Sequence, residues 1–131
     1  MKSICFDVFI STVSEANSSE GWRKKNNRHK NQQWFVRMAF EQHVKAIYLP
    51  CVVTMTRLST RLLDDDNLVC SFKWIRDEIS ECIFPEKRGF YVTKKGNMKK
   101  IKGRADSDPR IKWRYAQQKH PIQGIRIQID F

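Results

Sequence analysis

Three consecutive carboxylates, Asp64, Asp65 and Asp66, stand just before a stretch in which apolar residues recur at helical spacing. Because a helix turns about 100° per residue, Asp66, Lys73 and Asp77 would lie within roughly 20° of one line along it. The apolar residues fall on the opposite side of that helix: Leu68, Phe72, Ile75, Ile79 and Cys82. One helix would therefore turn an apolar side to a core and an acid–lysine–acid side to a ligand.

The same residues have an ordinary structural interpretation. Aspartate and asparagine at a helix start cap the helix and interact favourably with its dipole, and Lys73 with Asp77 is a common i,i+4 pair. A second acidic pair, Asp106 and Asp108, lies in a segment otherwise rich in lysine and arginine, which favours a functional interpretation. Carboxylates held where a polyanion binds are unfavourable unless a cation lies between them, so the pattern predicts a divalent metal.

The chain is strongly basic, with 25 Lys and Arg against 14 Asp and Glu in 131 residues, a net charge of +11. Such a balance indicates an anionic partner, more often nucleic acid than a membrane, and a solvated basic surface without a partner is the alternative. Two basic segments are the predicted DNA contacts. They contribute Arg23, Lys24, Lys25, Arg28 and Lys30 from the first, and Lys94, Lys95, Lys99, Lys100, Lys102 and Arg104 from the second.

Several other kinds of site are disfavoured. The four cysteines form no CxxC pair and the three histidines complete no zinc pattern, so we expect reduced thiols in a cytosolic protein. The histidines have no nucleophile context, and no glycine-rich phosphate loop is present. No apolar run approaches about 18 residues, so we expect no membrane span.

Hydrophobic periodicity predicts an α/β (α+β) fold, a single domain over 1–131 with a small mixed sheet against two helices. The predicted helices cover 22–47 and 65–83, and a basic hairpin inserted at about 86–105 turns at Gly96 and Asn97. The predicted strands lie near 4–10, 51–58, 111–115 and 125–131. The last two strands are expected to pair as a hairpin joined near His120 and Pro121.

This arrangement would place carboxylates at strand ends, where α/β domains often bind ligands. We expect Asp64, Asp66 and Asp108 to converge on one Mg²⁺, or a Mn²⁺ in its place. The ion would lower the pKa of a bound water and neutralise charge on a phosphodiester, while Lys73 would stabilise the same charge.

The motifs have a recognisable order. Residues 63–68 read Leu-Asp-Asp-Asp-Asn-Leu, Lys73 and Asp77 follow, and residues 106–111 read Asp-Ser-Asp-Pro-Arg-Ile. This order resembles the RusA family of Holliday-junction resolvases over about residues 51–131, and more weakly over 1–50. In the family pattern the lysine follows the asparagine by three residues, where this chain has Cys70. Lys73 stands three residues further on, nearly one helical turn and about 4.5 Å along the axis.

The resemblance implies a RusA-like domain acting as a Mg²⁺-dependent endonuclease on four-way or other branched DNA in recombination and repair. It implies metal binding by Asp64, Asp66 and Asp108 and a catalytic role for Lys73. The implied supporting residues are Asn67, Asp77 and Asp106. A homodimer is also implied, cytoplasmic and encoded by a bacterium or a phage. Two other functions stay open: a non-catalytic basic nucleic-acid-binding protein, and an accessory protein that docks an acidic protein partner.

Overall fold

Strands with alternating apolar side chains and three helices account for most of the chain in a computed structural model, which describes residues 2–14, 19–87, 90–100 and 105–131. The elements in chain order are β1 (Ser3–Val8), α1 (Trp22–His43), β2 (Cys51–Ser59), α2 (Asp65–Ser71), α3 (Lys73–Ile83), β3 (Phe90–Val92), β4 (Met98–Lys100), β5 (Ile111–Lys119) and β6 (Gly124–Asp130). Short 3-10 turns cover Pro85–Lys87 and Ala105–Ser107. The predicted mixed α/β class is confirmed.

The main sheet has four strands in the order β1-β6-β2-β5. β2 runs parallel to β5, whereas β6 is antiparallel to both β1 and β2. The predicted hairpin between β5 and β6 is therefore wrong, because β2 lies between them. β6 takes a central place since Ile125, Ile127 and Ile129 are all fully buried. β5, which exposes Lys112 and Arg114, is at the edge, where charged side chains reach water.

The helices cover one face of this sheet. The core cluster joins inward residues of all four strands to apolar residues of each helix. From the helices and the residues directly next to them come Val36, Phe40, Val44, Leu68, Phe72, Ile75 and Ile79, where Val44 follows α1 and Phe72 lies between α2 and α3. The opposite face carries polar and charged rows such as Gln128, Thr54 and Arg114, which are paired across three strands. No helix of the described ranges covers that face.

The single helix predicted over 65–83 is interrupted at Phe72, which has φ −97° and ψ −1°. The Phe72 amide donates to Val69 at 3.1 Å, an i→i−3 bond that tightens the turn between α2 and α3. Its ring is fully buried and stacks on Tyr115 with ring centroids 5.7 Å apart. Packing of this one side chain against the sheet therefore separates Asp66 and Lys73 onto two helices.

The predicted basic hairpin is present as a separate two-stranded sheet. β3 and β4 pair antiparallel, with Val92 opposite Met98. Gly96 supplies the left-handed backbone of the turn, φ 82°, and its amide donates to Thr93. Lys94 and Lys95 lie in the turn and are exposed.

Candidate functional site

The acidic turn, Asp64 to Asp66, is held against the end of β5 by one glutamine. The Leu63 amide donates to Gln117 Oε1 at 2.9 Å, and Gln117 Nε2 donates to the Leu63 carbonyl at 2.6 Å. The pairing of β2 with β5 ends at Ser59, and these two reciprocal bonds attach the chain to β5 again at Leu63. The position of the turn is thus fixed by the sheet.

The three carboxylates of the acidic turn are solvent exposed. Asp64 caps α2, because its Oδ1 accepts from the Asn67 amide at 2.9 Å, which leaves its other oxygen outside the capping bond. In the described part of the chain no lysine or arginine forms an ion pair with any of the three. The ordinary structural interpretation therefore holds for Asp64 as the helix cap. Asp65 and Asp66 lie in the first turn of α2, where a negative charge interacts favourably with the helix dipole.

The other predicted site residues near the acidic turn lie on α2 and α3. Asn67 Oδ1 accepts a hydrogen bond from Ser14, which ties the segment after β1 to the first turn of α2. Lys73 is exposed at the start of α3, and its Nζ lies 5.4 Å from the centre of the Trp74 ring. Asp77 is half-buried one turn later on α3.

Asp108 belongs to a different cluster. Its carboxylate accepts from Arg110 Nε at 3.1 Å, Arg110 Nη2 at 2.9 Å and Lys87 Nζ at 3.2 Å. These bonds, together with one from the Arg110 amide at 3.0 Å, hold the pKa of Asp108 well below its usual range. Lys87 Nζ and the Arg110 guanidinium carbon also lie over the Phe84 ring, 5.1 and 4.7 Å from its centre respectively. Asp108 thus joins the Pro85–Lys87 turn to the start of β5.

The acidic turn and Asp108 are at opposite ends of the sheet. The turn is bound to Gln117, whereas the Asp108 carbonyl accepts from the Ile111 amide, six strand residues earlier. At about 3.3 Å per residue, six residues separate these points by roughly 20 Å. Among the described residues, no three His, Cys, Asp or Glu side chains are grouped so as to hold a metal. The predicted convergence of Asp64, Asp66 and Asp108 on one ion is absent within the single chain.

The cause of this separation is the parallel pairing of β2 with β5. The chain leaves β2 at Ser59, beside Lys119 at the far end of β5, and enters β5 at Ile111, beside Cys51. In a parallel pair the residues that follow one strand and precede the next therefore lie a strand length apart.

Asp106, predicted as a supporting residue, is bound by Arg76. Its carbonyl accepts from Arg76 Nη2 and Trp113 Nε1, each at 2.9 Å, and its carboxylate is 3.5 Å from Arg76 Nε. The Arg76 guanidinium also lies over the Trp113 ring at 4.9 Å and donates to Tyr115. This network fixes the turn before β5 to α3.

The predicted DNA-contact residues differ in how available they are. Arg28 is paired with Glu20 at 2.8 Å, so its charge is partly neutralised, and Lys25 is half-buried. The exposed members are Arg23, Lys24, Lys30, Lys94, Lys95 and Lys99. Lys102 and Arg104 lie outside the described residues, as does the side chain of Lys100.

Two arginines near the acidic turn were not predicted as site residues. Arg57 is 6% exposed, and Arg61, in the loop before Asp64, is exposed. The signal for Arg57 was present in the alternation of the Cys51–Ser59 strand, because Val53 and Met55 mark the inward positions and residue 57 continues them. A charged residue at an inward strand position is uncommon and indicates a specific role.

Within the described ranges no helix combines the length and hydrophobicity needed to cross a membrane. Comparisons with protein-family models, with curated proteins and with solved structures found no match to this chain.

Proposed function

We propose that the protein is a Mg²⁺-dependent endonuclease of the RusA type that cleaves four-way or other branched DNA. One observation carries the proposal: in a chain of net charge +11, the exposed acidic turn has no cationic partner in the described structure. Three adjacent carboxylates repel one another, and a divalent cation relieves that repulsion. The turn also keeps the motif order that resembles RusA, from residue 63 to Asp77.

Asp64 and Asp66 suit Mg²⁺, because this ion binds one or two carboxylates and retains waters and phosphate oxygens. When bound there it would supply a water of lowered pKa and neutralise phosphodiester charge. Lys73, exposed on the next helix, stabilises the charge that develops on the phosphate. Asn67 positions Asp64 through its amide. Asp108, held by Arg110 and Lys87, is left out of this set.

The proposed active form is a homodimer, because a four-way junction has two equivalent strands to cut. Light scattering should then return twice the chain mass of 15.6 kDa, at least when a junction is bound. A stable 1:1 complex of one chain with one junction that still cuts both strands would contradict this part of the proposal.

A non-catalytic nucleic-acid-binding protein is the second candidate, and the position of Asp108 favours it. With Asp108 engaged at the other end of the sheet, the acidic turn offers carboxylates from one loop only. This function predicts binding of DNA with steep salt dependence, no cleavage, and no rise in melting temperature with Mg²⁺.

The deciding experiment is cleavage of a labelled synthetic four-way junction with and without Mg²⁺ or Mn²⁺. We expect Asp66→Asn to abolish cleavage and to leave junction binding equal or tighter, because the substitution removes a negative charge near DNA phosphates. Asp65→Asn, which makes the same chemical change at the adjacent residue, is the matched control and should still cut. No cleavage by the unmodified protein with either metal would support the second candidate instead.

A further inference from the structure

Arg57 is a nearly buried cation held by two neutral oxygens. Its Nε donates to Thr12 Oγ1 at 3.0 Å and its Nη1 donates to the Arg61 carbonyl at 2.7 Å. Thr12 is itself buried, and Arg57 lies opposite Ile125 in the sheet register. The guanidinium is therefore fixed in place by the fold.

No carboxylate compensates this charge in the described structure. Beyond the two hydrogen bonds, the Arg57 side chain makes no ion pair and no other polar interaction with the described residues. Burial lowers the pKa of Arg57, yet arginine stays charged at all ordinary pH values. A buried ion is costly unless it is paired, so an anion bound at this position would offset that cost.

The third nitrogen of the guanidinium, Nη2, makes no hydrogen bond to the described residues. Nη2 is also accessible to solvent. Among the described residues, Arg76 Nε is the one side-chain nitrogen or oxygen that is both fully buried and without a hydrogen bond. Arg57 thus combines a preorganised position with free donors, which is what recognition of an oxyanion requires.

Both anchors of Arg57 belong to segments that hold the acidic turn. The Arg61 carbonyl is three residues before Asp64, and Thr12 is two residues before Ser14, which bonds to Asn67. Arg61 adds an exposed guanidinium at the same loop. The segment that joins the end of β2 to the acidic turn therefore carries two guanidinium groups.

We propose that Arg57 is the anchor of an oxyanion site at the end of β2, which binds a phosphate group through its free guanidinium nitrogen. If the proposed function is correct, on which this assignment to DNA rests, the occupant is a backbone phosphate of the DNA held beside the acidic turn. The same chemistry would accept inorganic phosphate, which serves as the probe.

The first test titrates inorganic phosphate into ¹⁵N-labelled protein without Mg²⁺, at ionic strength matched with NaCl. The buried, hydrogen-bonded Nε–H of Arg57 should give a protected side-chain signal, assigned by its loss in Arg57→Lys, and phosphate should shift it in a saturable way. An Arg57 signal that stays unmoved while phosphate reaches tens of millimolar overturns the site. The titration itself is made on the unmodified protein, and the variant is needed only to assign the signal.

The second test compares variants. Arg57→Gln should weaken phosphate binding by about tenfold or more, the loss expected for one charge-assisted hydrogen bond. Arg114→Gln removes the same charge from an exposed position of β5 and should change it little. Arg57→Lys, which keeps the charge but loses the fork, should fall between them. Equal losses in Arg57→Gln and Arg114→Gln would show that only net charge matters and would overturn the proposal.

A third arm separates the sources of phosphate and the two proposals. A synthetic junction added in EDTA should shift the Arg57 signal, and it should bind Arg57→Gln more weakly than the unmodified protein. If inorganic phosphate shifts the signal and the junction does not, the assignment to DNA is overturned. A protein that cuts junctions but shows no Arg57 response retains the proposed function without this site. A protein that shows the response but never cuts retains the site without the nuclease activity.

Discussion

At the scale of single residues, the carboxylates of this chain divide into two kinds. Asp108 is saturated by Arg110 and Lys87, whereas Asp66 has no cationic partner in the described structure. Both stand in acidic motifs in the sequence, so their types alone do not separate them. The difference arises because Arg110 follows Asp108 by two residues and Lys87 is brought to it by the turn after α3.

The lowered pKa of Asp108 predicts how stability depends on pH. A carboxyl with a folded-state pKa below its unfolded value of about 3.9 stabilises the fold above that pH, and the contribution is lost as the pH falls through the folded-state pKa. Asp108→Asn should therefore be less stable than the unmodified protein by a constant amount between about pH 5 and 7. The difference is constant there because the carboxyl is ionised in both the folded and the unfolded state from about one pH unit above its ordinary pKa. Below about pH 4 the difference should shrink. Urea unfolding of both proteins from pH 7 to pH 2 measures it.

The same substitution separates a structural from a metal-binding role of Asp108. If Asp108 acts only through Arg110 and Lys87, Asp108→Asn at pH 7 should lower stability. If the protein has the proposed nuclease activity, the variant should then cleave junctions about as well as the unmodified protein. Loss of cleavage with unchanged stability would instead show that Asp108 reaches the metal, contrary to the geometry of the single chain.

At the scale of elements, local patterns predicted which segments form strands and helices but not how they pair. Alternation identified β5 and β6, and their closeness in sequence suggested a hairpin. The fully buried Ile125, Ile127 and Ile129 instead place β6 between two strands, a choice set by burial in the whole sheet. The break at Phe72 has the same origin, because the ring of Phe72 meets Tyr115 of β5.

This strand order makes a glycine at the start of β6 necessary. A Cβ at Gly124 would lie 2.8 Å from the Val8 carbonyl oxygen and 3.3 Å from Phe9 Cα, both backbone atoms that cannot easily move. Gly124→Ser should therefore destabilise the protein by about 1–3 kcal/mol, the usual cost of overpacking. Urea unfolding measures the loss.

Gly21, which precedes α1, gives the matched control. A Cβ there would meet nothing within 4 Å, and no side chain caps the helix at this position. Gly21→Ser should be neutral or slightly stabilising, because serine is a favoured helix cap. Equal destabilisation by the two substitutions would argue against the close contact between β6 and the end of β1.

At the scale of the whole molecule, the helices cover one face of the sheet and the exposed basic residues predicted to contact DNA lie on two separate elements, α1 and the β3–β4 hairpin. The net charge predicted from composition an anionic partner, but composition cannot say which cations act together. In the structure Arg28 is partly neutralised by Glu20, while Lys94 and Lys95 stand exposed at the hairpin turn. The hairpin therefore carries several exposed lysines, Lys94, Lys95 and Lys99, within a short segment of the described chain.

If the protein binds DNA as proposed, this distribution predicts which lysines contribute to the salt dependence of binding. If Lys94 and Lys95 each neutralise one phosphate, replacing both by glutamine should reduce the slope of log K against log[salt] by about 1.8, since each contact to duplex DNA contributes roughly 0.9. The control is Lys2→Gln with Lys45→Gln, which removes the same charge from exposed positions near the start of β1 and the end of α1. Titrations of a labelled junction between 50 and 300 mM NaCl compare the slopes. If both variants lose a little affinity and keep the slope of the unmodified protein, the hairpin lysines add only to the general positive field. If the slope falls in the hairpin variant alone, Lys94 and Lys95 contact the phosphate backbone directly.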